Sequence, residues 1–149
     1  MTPKSKTALF AGSFNPFTIG HKSIADRALK FCDRLVIAIG INSGKDDDAG
    51  INGRLASVER IFADEPRVTV ASYDGLTVDF ARRCGADFMV RGVRDVKDFE
   101  YERSLAEINL RISGIETVLL PALPELSYIS SSMVRELESY GHDVKQFLP

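Results

Sequence analysis

Short apolar runs alternate along the chain with segments in which apolar residues recur every three or four positions. Five apolar runs predict strands, over residues 7–11, 35–41, 67–71, 88–90 and 117–120. Five segments with helical spacing predict helices, over residues 21–32, 55–62, 76–84, 98–112 and 130–140. Strands that alternate with helices form βαβ units, so we expect an α/β fold: a doubly wound, Rossmann-like, five-stranded parallel sheet with helices on both faces.

Two of the predicted helices carry a continuous apolar stripe that should face the core. In the first helix the stripe consists of Ile24, Ala25, Ala28, Leu29 and Cys32. In the helix over 98–112 it consists of Tyr101, Leu105, Ile108 and Ile112, with Asp98, Glu102 and Asn109 on the opposite side, towards ligand or solvent. The segment 42–53 is polar and contains glycine, which predicts a mobile loop.

Composition narrows the class of protein. With 149 residues, 44% hydrophobic and 27% charged, the chain is typical of a single globular domain over 1–149. Its net charge of -2 argues against non-specific binding to nucleic acid or to anionic membranes. The polar segment from Met1 to Lys6 has no signal-peptide core, and no apolar run approaches the ~18 residues of a membrane span, so we expect a cytoplasmic protein. Cys32 and Cys84 lie outside any C-x-x-C motif, which predicts packed, reduced thiols.

The loop after the first predicted strand combines residues that suit a bound anion. Gly12 lets the backbone approach a ligand, and Thr18 is a suitable helix N-cap. Gly20 leaves the N–H groups at the helix start open to a phosphate, at which His21 would point. Ligands of such sheets bind outside the carboxyl ends of the strands, so the loop also lies where a site is expected. The alternative is a capped helix with an incidental histidine.

Three further strand-end segments carry candidate anion ligands. Arg91 and Arg94 follow the fourth predicted strand and would bind a phosphate, or else pair with Asp95 and Asp98. Lys45 is either a charge directed at a phosphate or a solvated loop residue. The serines at 130–132 offer hydroxyl and N–H groups to an anion, or simply cap the last helix. No G-x-G-x-x-G follows the first strand, which argues against a dinucleotide redox cofactor.

These segments together resemble a known enzyme family. The stretch Thr18-Ile19-Gly20-His21 is similar to the T/H-x-G-H motif of a nucleotidyltransferase superfamily, and within it the chain resembles the bacterial phosphopantetheine adenylyltransferases over nearly its whole length. The stretches that carry the resemblance are residues 12–21, 91–94 with 98–102, 129–132 and 146–149. The resemblance implies adenylyl transfer from ATP to 4′-phosphopantetheine, giving dephospho-coenzyme A and pyrophosphate. It also implies a homohexamer, Mg²⁺ carried by the ATP phosphates without protein metal ligands, and coenzyme A as a feedback inhibitor.

The resemblance further implies roles for individual residues. The catalytic residues would be His21, Lys45, Arg94 and Ser131. ATP would be bound by Ser13, Phe14, His21, Gly92, Val93, Arg94, Glu102, Leu126, Ser127, Tyr128, Ile129, Ser130, Ser131 and Ser132. The second substrate would be bound by Ser13, Lys45, Leu76, Thr77, Arg91 and Asn109. The acidic run 46–48 departs from the family pattern and would weaken the attraction of Lys45 for a phosphate unless its carboxylates point away.

The expected chemistry requires no general base, because a phosphate dianion is already nucleophilic near neutral pH. Catalysis would depend on alignment and on positive charge from His21, Lys45, Arg91, Arg94 and the helix N-termini. Two alternatives remain open at this point. One is transfer of an adenylyl or cytidylyl group to another phosphate monoester such as nicotinate mononucleotide, and the other is a non-catalytic nucleotide-binding module.

Overall fold

The computed structural model describes residues 4–149; Met1 to Pro3, the beginning of the polar N-terminal segment, lie outside the described residues. The strands are β1 (Thr7–Gly12), β2 (Arg34–Gly40), β3 (Val68–Tyr73), β4 (Phe88–Val93) and β5 (Glu116–Pro121). The helices are α1 (Ile19–Ala28), α2 (Asp48–Ile61), α3 (Thr77–Arg83), α4 (Val96–Ser113) and α5 (Ser131–Ser139). Within residues 4–149, no helix has both the length and the apolar character needed to cross a membrane.

All five strands pair in parallel in the order β3-β2-β1-β4-β5. Leu9 at the centre of β1 pairs with Val36 on one side and with Met89 on the other. The chain therefore winds from β1 towards β3, returns, and continues through β4 to β5. This arrangement confirms the predicted doubly wound sheet, and its winding direction reverses between β1 and β4, where such folds bind ligands.

Alternate residues of the central strands face two separate cores. Ala8, Phe10, Ile37 and Ile39 pack with the helices α1 and α2 on one face, and Leu9, Ala11, Val36 and Ala38 pack with α3 on the other. The predicted stripe of α1 is confirmed, because Ile24, Ala25, Ala28, Leu29 and Cys32 are all buried. Helices on both faces explain why β2 is apolar at consecutive positions rather than at alternate ones.

Helix α2 begins earlier than the sequence pattern indicated. The segment 42–53 was expected to be a mobile loop, but α2 starts at Asp48, so that expectation is wrong for its second half. The Asp47 side chain caps the helix by accepting a hydrogen bond from the N–H of Gly50 at 2.7 Å, and Asp48 lies in the first turn, where the helix dipole favours a carboxylate. Gly50 and Gly53 have low helix propensity and hide the helical pattern.

The apolar stripe predicted for α4 does not face the core. Tyr101, Ile108 and Ile112 are 63%, 56% and 54% exposed, whereas Glu102 of the same helix is buried. Periodicity identifies the apolar side of a helix but not what covers it, and here the side that meets the sheet combines Glu102 and Asn109 with Leu105 and Ala106. The prediction of a core stripe was therefore wrong for Tyr101, Ile108 and Ile112, whereas Leu105, its fourth member, is half-buried.

Both cysteines are free thiols, as expected. Cys32 is buried in the core beneath α1, and Cys84 at the end of α3 is half-buried. Burial raises the pKa of both thiols, which keeps them protonated and unreactive near neutral pH.

Candidate active site

A cavity of about 280 Å³ opens at the point where the winding of the sheet reverses. We call it the outer cavity; it lies between the carboxyl ends of β1 and β4 and the N-termini of α1 and α5. Of the residues expected to bind ATP, it is lined by Ser13, Phe14, His21, Gly92, Val93, Arg94, Glu102, Leu126, Ile129, Ser130, Ser131 and Ser132. Ser127 and Tyr128 do not line it, and Tyr128 is 64% exposed.

Strand β4 extends further than predicted, so Arg91, Gly92 and Val93 belong to the strand rather than to a loop. They pair with Leu119 to Pro121 of β5. A Cβ atom at Gly92 would lie 3.0 Å from Cγ1 of Ile24, so only glycine fits between the strand and α1 without displacement. The strand therefore forms a fixed wall of the outer cavity.

Thr18 and His21 form a reciprocal cap at the start of α1. The Thr18 hydroxyl accepts a hydrogen bond from the His21 N–H at 3.3 Å, and the Thr18 N–H donates to Nδ1 of the His21 ring at 2.9 Å. The ring also packs against Phe14 and Phe17, with centroid distances of 5.1 and 5.3 Å. Because Nδ1 accepts, the neutral ring carries its proton on Nε2, which is the atom left to donate to a ligand.

The surroundings of His21 disfavour the charged imidazolium. Burial, and then the nearby charges of Arg91 and Arg94, lower the pKa of His21 to about 4. The ring is therefore neutral near pH 7 in the ligand-free protein. His21 was expected to supply positive charge; its environment makes it a neutral N–H donor instead. Sequence patterns gave no signal of this, because the effect comes from burial and from arginines about 70 residues away along the chain.

Arg91 is held by partners that differ from those expected. Its Nε and Nη2 donate to the two carboxylate oxygens of Glu102 at 2.9 and 2.7 Å, and its Nη1 donates to the carbonyl oxygen of Ala11. Glu102 was expected to contact the nucleotide or solvent, but its carboxylate is buried against Arg91. One N–H on Nη1 and one on Nη2 of Arg91 remain for a ligand.

Arg94 pairs with Asp98, which is one of the two aspartates that the sequence offered as partners in place of a phosphate. Its Nε donates to Asp98 at 2.9 Å, while the Asp95 carboxylate caps α4 by accepting from the Asp98 N–H at 2.8 Å. The side chain of Arg94 is 39% exposed, and an ion pair at this exposure is worth at most about 1 kcal/mol. A phosphate could therefore take the place of Asp98 at little cost.

Three side chains from other elements hold carbonyl groups of the loop between β1 and α1. The Ser131 hydroxyl donates to the carbonyl oxygen of Pro16 at 2.7 Å, so this serine holds the loop from α5. Arg135 donates to the carbonyl oxygen of Asn15, and Arg54 of α2 donates to that of Ser13. Sequence reasoning missed both arginines, since nothing in their local pattern indicates a contact with this loop.

Two N–H groups of the same loop have no acceptor within the described part of the chain. Among residues 4–149, no hydrogen bond is made by the N–H groups of Ser13 and Phe14. Phe14 adopts a φ of 46°, a left-handed conformation that turns the backbone sharply beside the cavity. Free N–H groups in such a turn, together with the N-termini of α1 and α5, are typical of a phosphate-binding site.

A second, smaller cavity of about 160 Å³ adjoins the first, and we call it the inner cavity. The two cavities share Gly12, Arg91 and Glu102, so the Arg91–Glu102 ion pair stands at their junction. The inner cavity has largely apolar walls with a few polar side chains, and it is lined among others by Leu9, Ala11, Met89, Leu105, Ala106, Tyr73, Thr77, Asn109 and Thr117.

Thr77 and Asn109, which the resemblance assigned to the second substrate, both line the inner cavity. The Thr77 hydroxyl is 2.8 Å from the hydroxyl of Tyr73. Leu76 does not line it and is 59% exposed at the start of α3. Sequence reasoning missed Tyr73, although its place as the last residue of β3 could have indicated a site residue.

Lys45 lies on an exposed turn and lines neither cavity. The carboxylates beside it are engaged elsewhere. The hydrogen bond at 2.7 Å from the N–H of Asn42 and the pairing with Arg54 at 2.6 Å lower the pKa of Asp46. Asp47 caps α2. The acidic run therefore serves the local fold rather than facing a phosphate.

Comparison with known proteins agrees with this geometry. Residues 9–137 match the family model described as cytidylyltransferase-like. The phosphopantetheine adenylyltransferase of Phocaeicola vulgatus is 54% identical over 144 residues, covering 97% of this chain and 95% of that protein. The enzyme of the same name from Bacteroides fragilis is 51% identical over 144 residues, covering 97% of this chain and 96% of that protein.

A solved structure shares the fold at low sequence identity. The crystal structure of a bifunctional NMN adenylyltransferase/ADP ribose pyrophosphatase from Francisella tularensis superposes with a TM-score of 0.73 at 15% identity, over 97% of this chain and 45% of that one. This likeness supports the Rossmann-like α/β fold. With the sequence matches over nearly the whole length, the chain belongs to the phosphopantetheine adenylyltransferases, within the cytidylyltransferase-like nucleotidyltransferase family.

Proposed function

We propose that this chain transfers the adenylyl group of ATP to 4′-phosphopantetheine, giving dephospho-coenzyme A and pyrophosphate in coenzyme A biosynthesis. The observation that carries the proposal is the junction of the two cavities at Arg91. The outer cavity offers the N–H donors and cations that suit a triphosphate. The inner cavity offers apolar walls and a few polar side chains, which suit an arm of methylene and amide groups. A phosphate that ends this arm would lie at Arg91, beside the triphosphate.

The reaction exchanges one phosphoanhydride bond for another. An oxygen of the acceptor phosphate attacks the α-phosphorus of ATP, and the bond from that phosphorus to the pyrophosphate oxygen breaks. The free N–H groups of Arg91 would orient the attacking phosphate. His21 would donate from Nε2 to an α-phosphoryl oxygen, where charge develops, and Arg94 with the N-termini of α1 and α5 would stabilise the departing pyrophosphate.

Two residues of the expected catalytic set have a less direct place in this proposal. Ser131 donates its hydroxyl to the Pro16 carbonyl, so it would act on the phosphates mainly through its N–H at the start of α5. Lys45 lines neither cavity, so it would act on the acceptor phosphate through its charge rather than by direct contact. Glu102 would orient Arg91 rather than contact the nucleotide.

Mg²⁺ would accompany the nucleotide. The carboxylates that line the outer cavity, Asp98 and Glu102, each pair with an arginine, and residues 4–149 contain no group of three or more candidate metal ligands. We therefore propose that the ATP phosphates hold the ion, which would neutralise charge on them during transfer. Arg94 and the helix N-termini would then share the remaining charge of the pyrophosphate.

Assembly, regulation and location belong to the same proposal. The exposed apolar residues of α4 support contact with further copies of the chain, and we propose the homohexamer that the family resemblance implies. Coenzyme A carries the same arm as the substrate and would compete for the inner cavity. We propose the cytoplasm as the location of this chain, as the sequence leads us to expect.

The test is pyrophosphate release from ATP and Mg²⁺ with either 4′-phosphopantetheine or nicotinate mononucleotide as acceptor. We expect release with the first acceptor only, and a loss of at least ~10²-fold in kcat for His21→Ala, the scale of one lost donor to a developing charge. Circular dichroism should show the variant folded. Release with the second acceptor alone would replace the proposed substrate, release with neither would favour a non-catalytic nucleotide-binding module, and full turnover by His21→Ala would remove that residue from the mechanism.

A further inference from the structure

Arg54 on α2 connects two loops at the carboxyl edge of the sheet. Its Nη1 donates to the carbonyl oxygen of Ser13 at 2.7 Å, and its Nη2 donates to Oδ1 of Asp46 at 2.6 Å. The two charged side chains are only 12% and 16% exposed. The side chains of the Arg94–Asp98 pair are more open to solvent, at 39% and 28%. The Arg54–Asp46 pair therefore differs from the Arg94–Asp98 pair, in which a phosphate ligand could take the place of Asp98.

Each end of this bridge is fastened to a constrained piece of backbone. Oδ2 of Asp46 accepts from the N–H of Asn42 at 2.7 Å, and the Asn42 carbonyl accepts from the N–H of Lys45 at 2.9 Å, so the turn that carries Lys45 is closed around Asp46. At the other end Ser13 precedes Phe14, whose φ of 46° an L-residue keeps only where its surroundings hold it. A single guanidinium thus touches both segments.

We propose that Arg54 is a positioning residue that, together with Asp46, holds the turn carrying Lys45 and the loop carrying Ser13 and Phe14 as one unit. Arg54 lines neither cavity, so it acts through these segments and not by touching a substrate. Its effect on turnover rests on the proposed function, whereas its effect on the backbone can be measured without any substrate.

A purely electrostatic role for Asp46 makes the opposite prediction. Asp46 is a negative charge near a site for phosphates, so if charge alone mattered, Asp46→Asn would strengthen the binding of anionic substrates. If Asp46 instead anchors Arg54, the same variant weakens the binding of these substrates, because a neutral amide accepts a hydrogen bond from a guanidinium less strongly than a carboxylate does. The sign of this one effect separates the two roles.

The substrate-free experiment is hydrogen exchange measured by mass spectrometry on the full chain. Arg67→Gln is a matched control, because Arg67 also joins a carbonyl group, that of Leu29 at 3.0 Å, to a carboxylate, that of Glu65 at 3.1 Å, but at the opposite edge of the sheet. We expect Arg54→Gln to accelerate exchange over residues 42–46 by at least ~10-fold, which is the scale of one lost hydrogen bond to a charged group. Arg67→Gln should leave exchange over these residues unchanged. Equal exchange over residues 42–46 in Arg54→Gln and in the parent would overturn the proposal.

The kinetic experiment measures kcat/KM for ATP and for 4′-phosphopantetheine. We expect Arg54→Gln and Asp46→Asn each to lower both values about 10-fold, the double variant to fall no further than the worse single variant, and Arg67→Gln to stay within about twofold of the parent. Arg54→Lys keeps the charge without the forked geometry and should also lower both values. A rise in kcat/KM for Asp46→Asn, or additive losses in the double variant, would overturn the proposal. If the parent itself shows no turnover, the proposed function fails, while the exchange experiment still shows whether Arg54 holds residues 42–46 in place.

Discussion

Acidification should destabilise this fold through His21. Burial and the charges of Arg91 and Arg94 lower the pKa of His21 from 6.5 to about 4 in the folded protein, while in the unfolded chain the imidazole titrates near its ordinary value. Between these two values the unfolded chain binds a proton that the folded chain does not. The free energy of unfolding therefore falls as the pH drops from 6.5 towards 4, and this contribution is constant below 4.

The size of the effect follows from the size of the shift. Each pKa unit is worth about 1.4 kcal/mol, so the full shift corresponds to about 3 kcal/mol. Carboxylates add their own titration at lower pH, so the useful window is pH 7.5 to 5.0. Over this window His21 should account for about 2 kcal/mol of lost stability.

The assay is urea denaturation at both pH values for the parent, His21→Gln and His142→Gln, all without ligand and at one protein concentration. The chain contains only two histidines, and His142 is exposed, so its replacement is a matched control. We expect the parent and His142→Gln to lose about 2 kcal/mol more than His21→Gln between pH 7.5 and 5.0. An equal loss in His21→Gln and the parent would refute the reasoning.

Three further substitutions test other parts of the structure. Glu102→Leu leaves the half-buried Arg91 without its bidentate partner and should lower the free energy of unfolding by about 2 kcal/mol in urea denaturation; unchanged stability would contradict the ion pair's structural role. Ile108→Asp, on the exposed side of α4, should dissociate the proposed hexamer in sedimentation velocity while circular dichroism stays unchanged, and a variant that sediments like the parent hexamer would show that this side is not an interface. Gly92→Ala places a Cβ 3.0 Å from Cγ1 of Ile24 and should lower the free energy of unfolding by about 1–3 kcal/mol in thermal or urea denaturation. Unchanged stability would mean that α1 shifts to make room for the methyl group.

The neutral state of His21 also changes how the proposed reaction would be expected to depend on pH. A ligand-free pKa of about 4 means that the proton on Nε2 is present throughout the neutral range. Loss of kcat/KM between pH 8 and 6, which reflects the free enzyme and free substrates, would therefore report on a substrate phosphate rather than on this side chain. Binding of a polyphosphate would add negative charge beside the ring and oppose the lowering by Arg91 and Arg94.

Local patterns determined the order of the elements and the places where chemistry could be sought. Strand and helix periodicities depend on neighbours a few residues apart, so the five strands, the five helices and the cap at Thr18 could be predicted from the sequence. The doubly wound topology follows from that order, and the rule that ligands bind at carboxyl strand ends places His21 and Arg91 at one edge. The family resemblance added the substrate and the grouping of the motif residues.

Contacts between distant segments decided the rest. The pairing of Arg91 with Glu102, the bridge from Arg54 to Ser13, and the neutral charge of His21 depend on side chains that meet only after the sheet has formed. The outward face of α4 is the clearest case, because an apolar stripe in a sequence looks the same whether it covers its own core or another chain. Periodicity indicates which side of a helix is apolar, and only the tertiary structure shows whether that side packs on its own sheet or stays exposed.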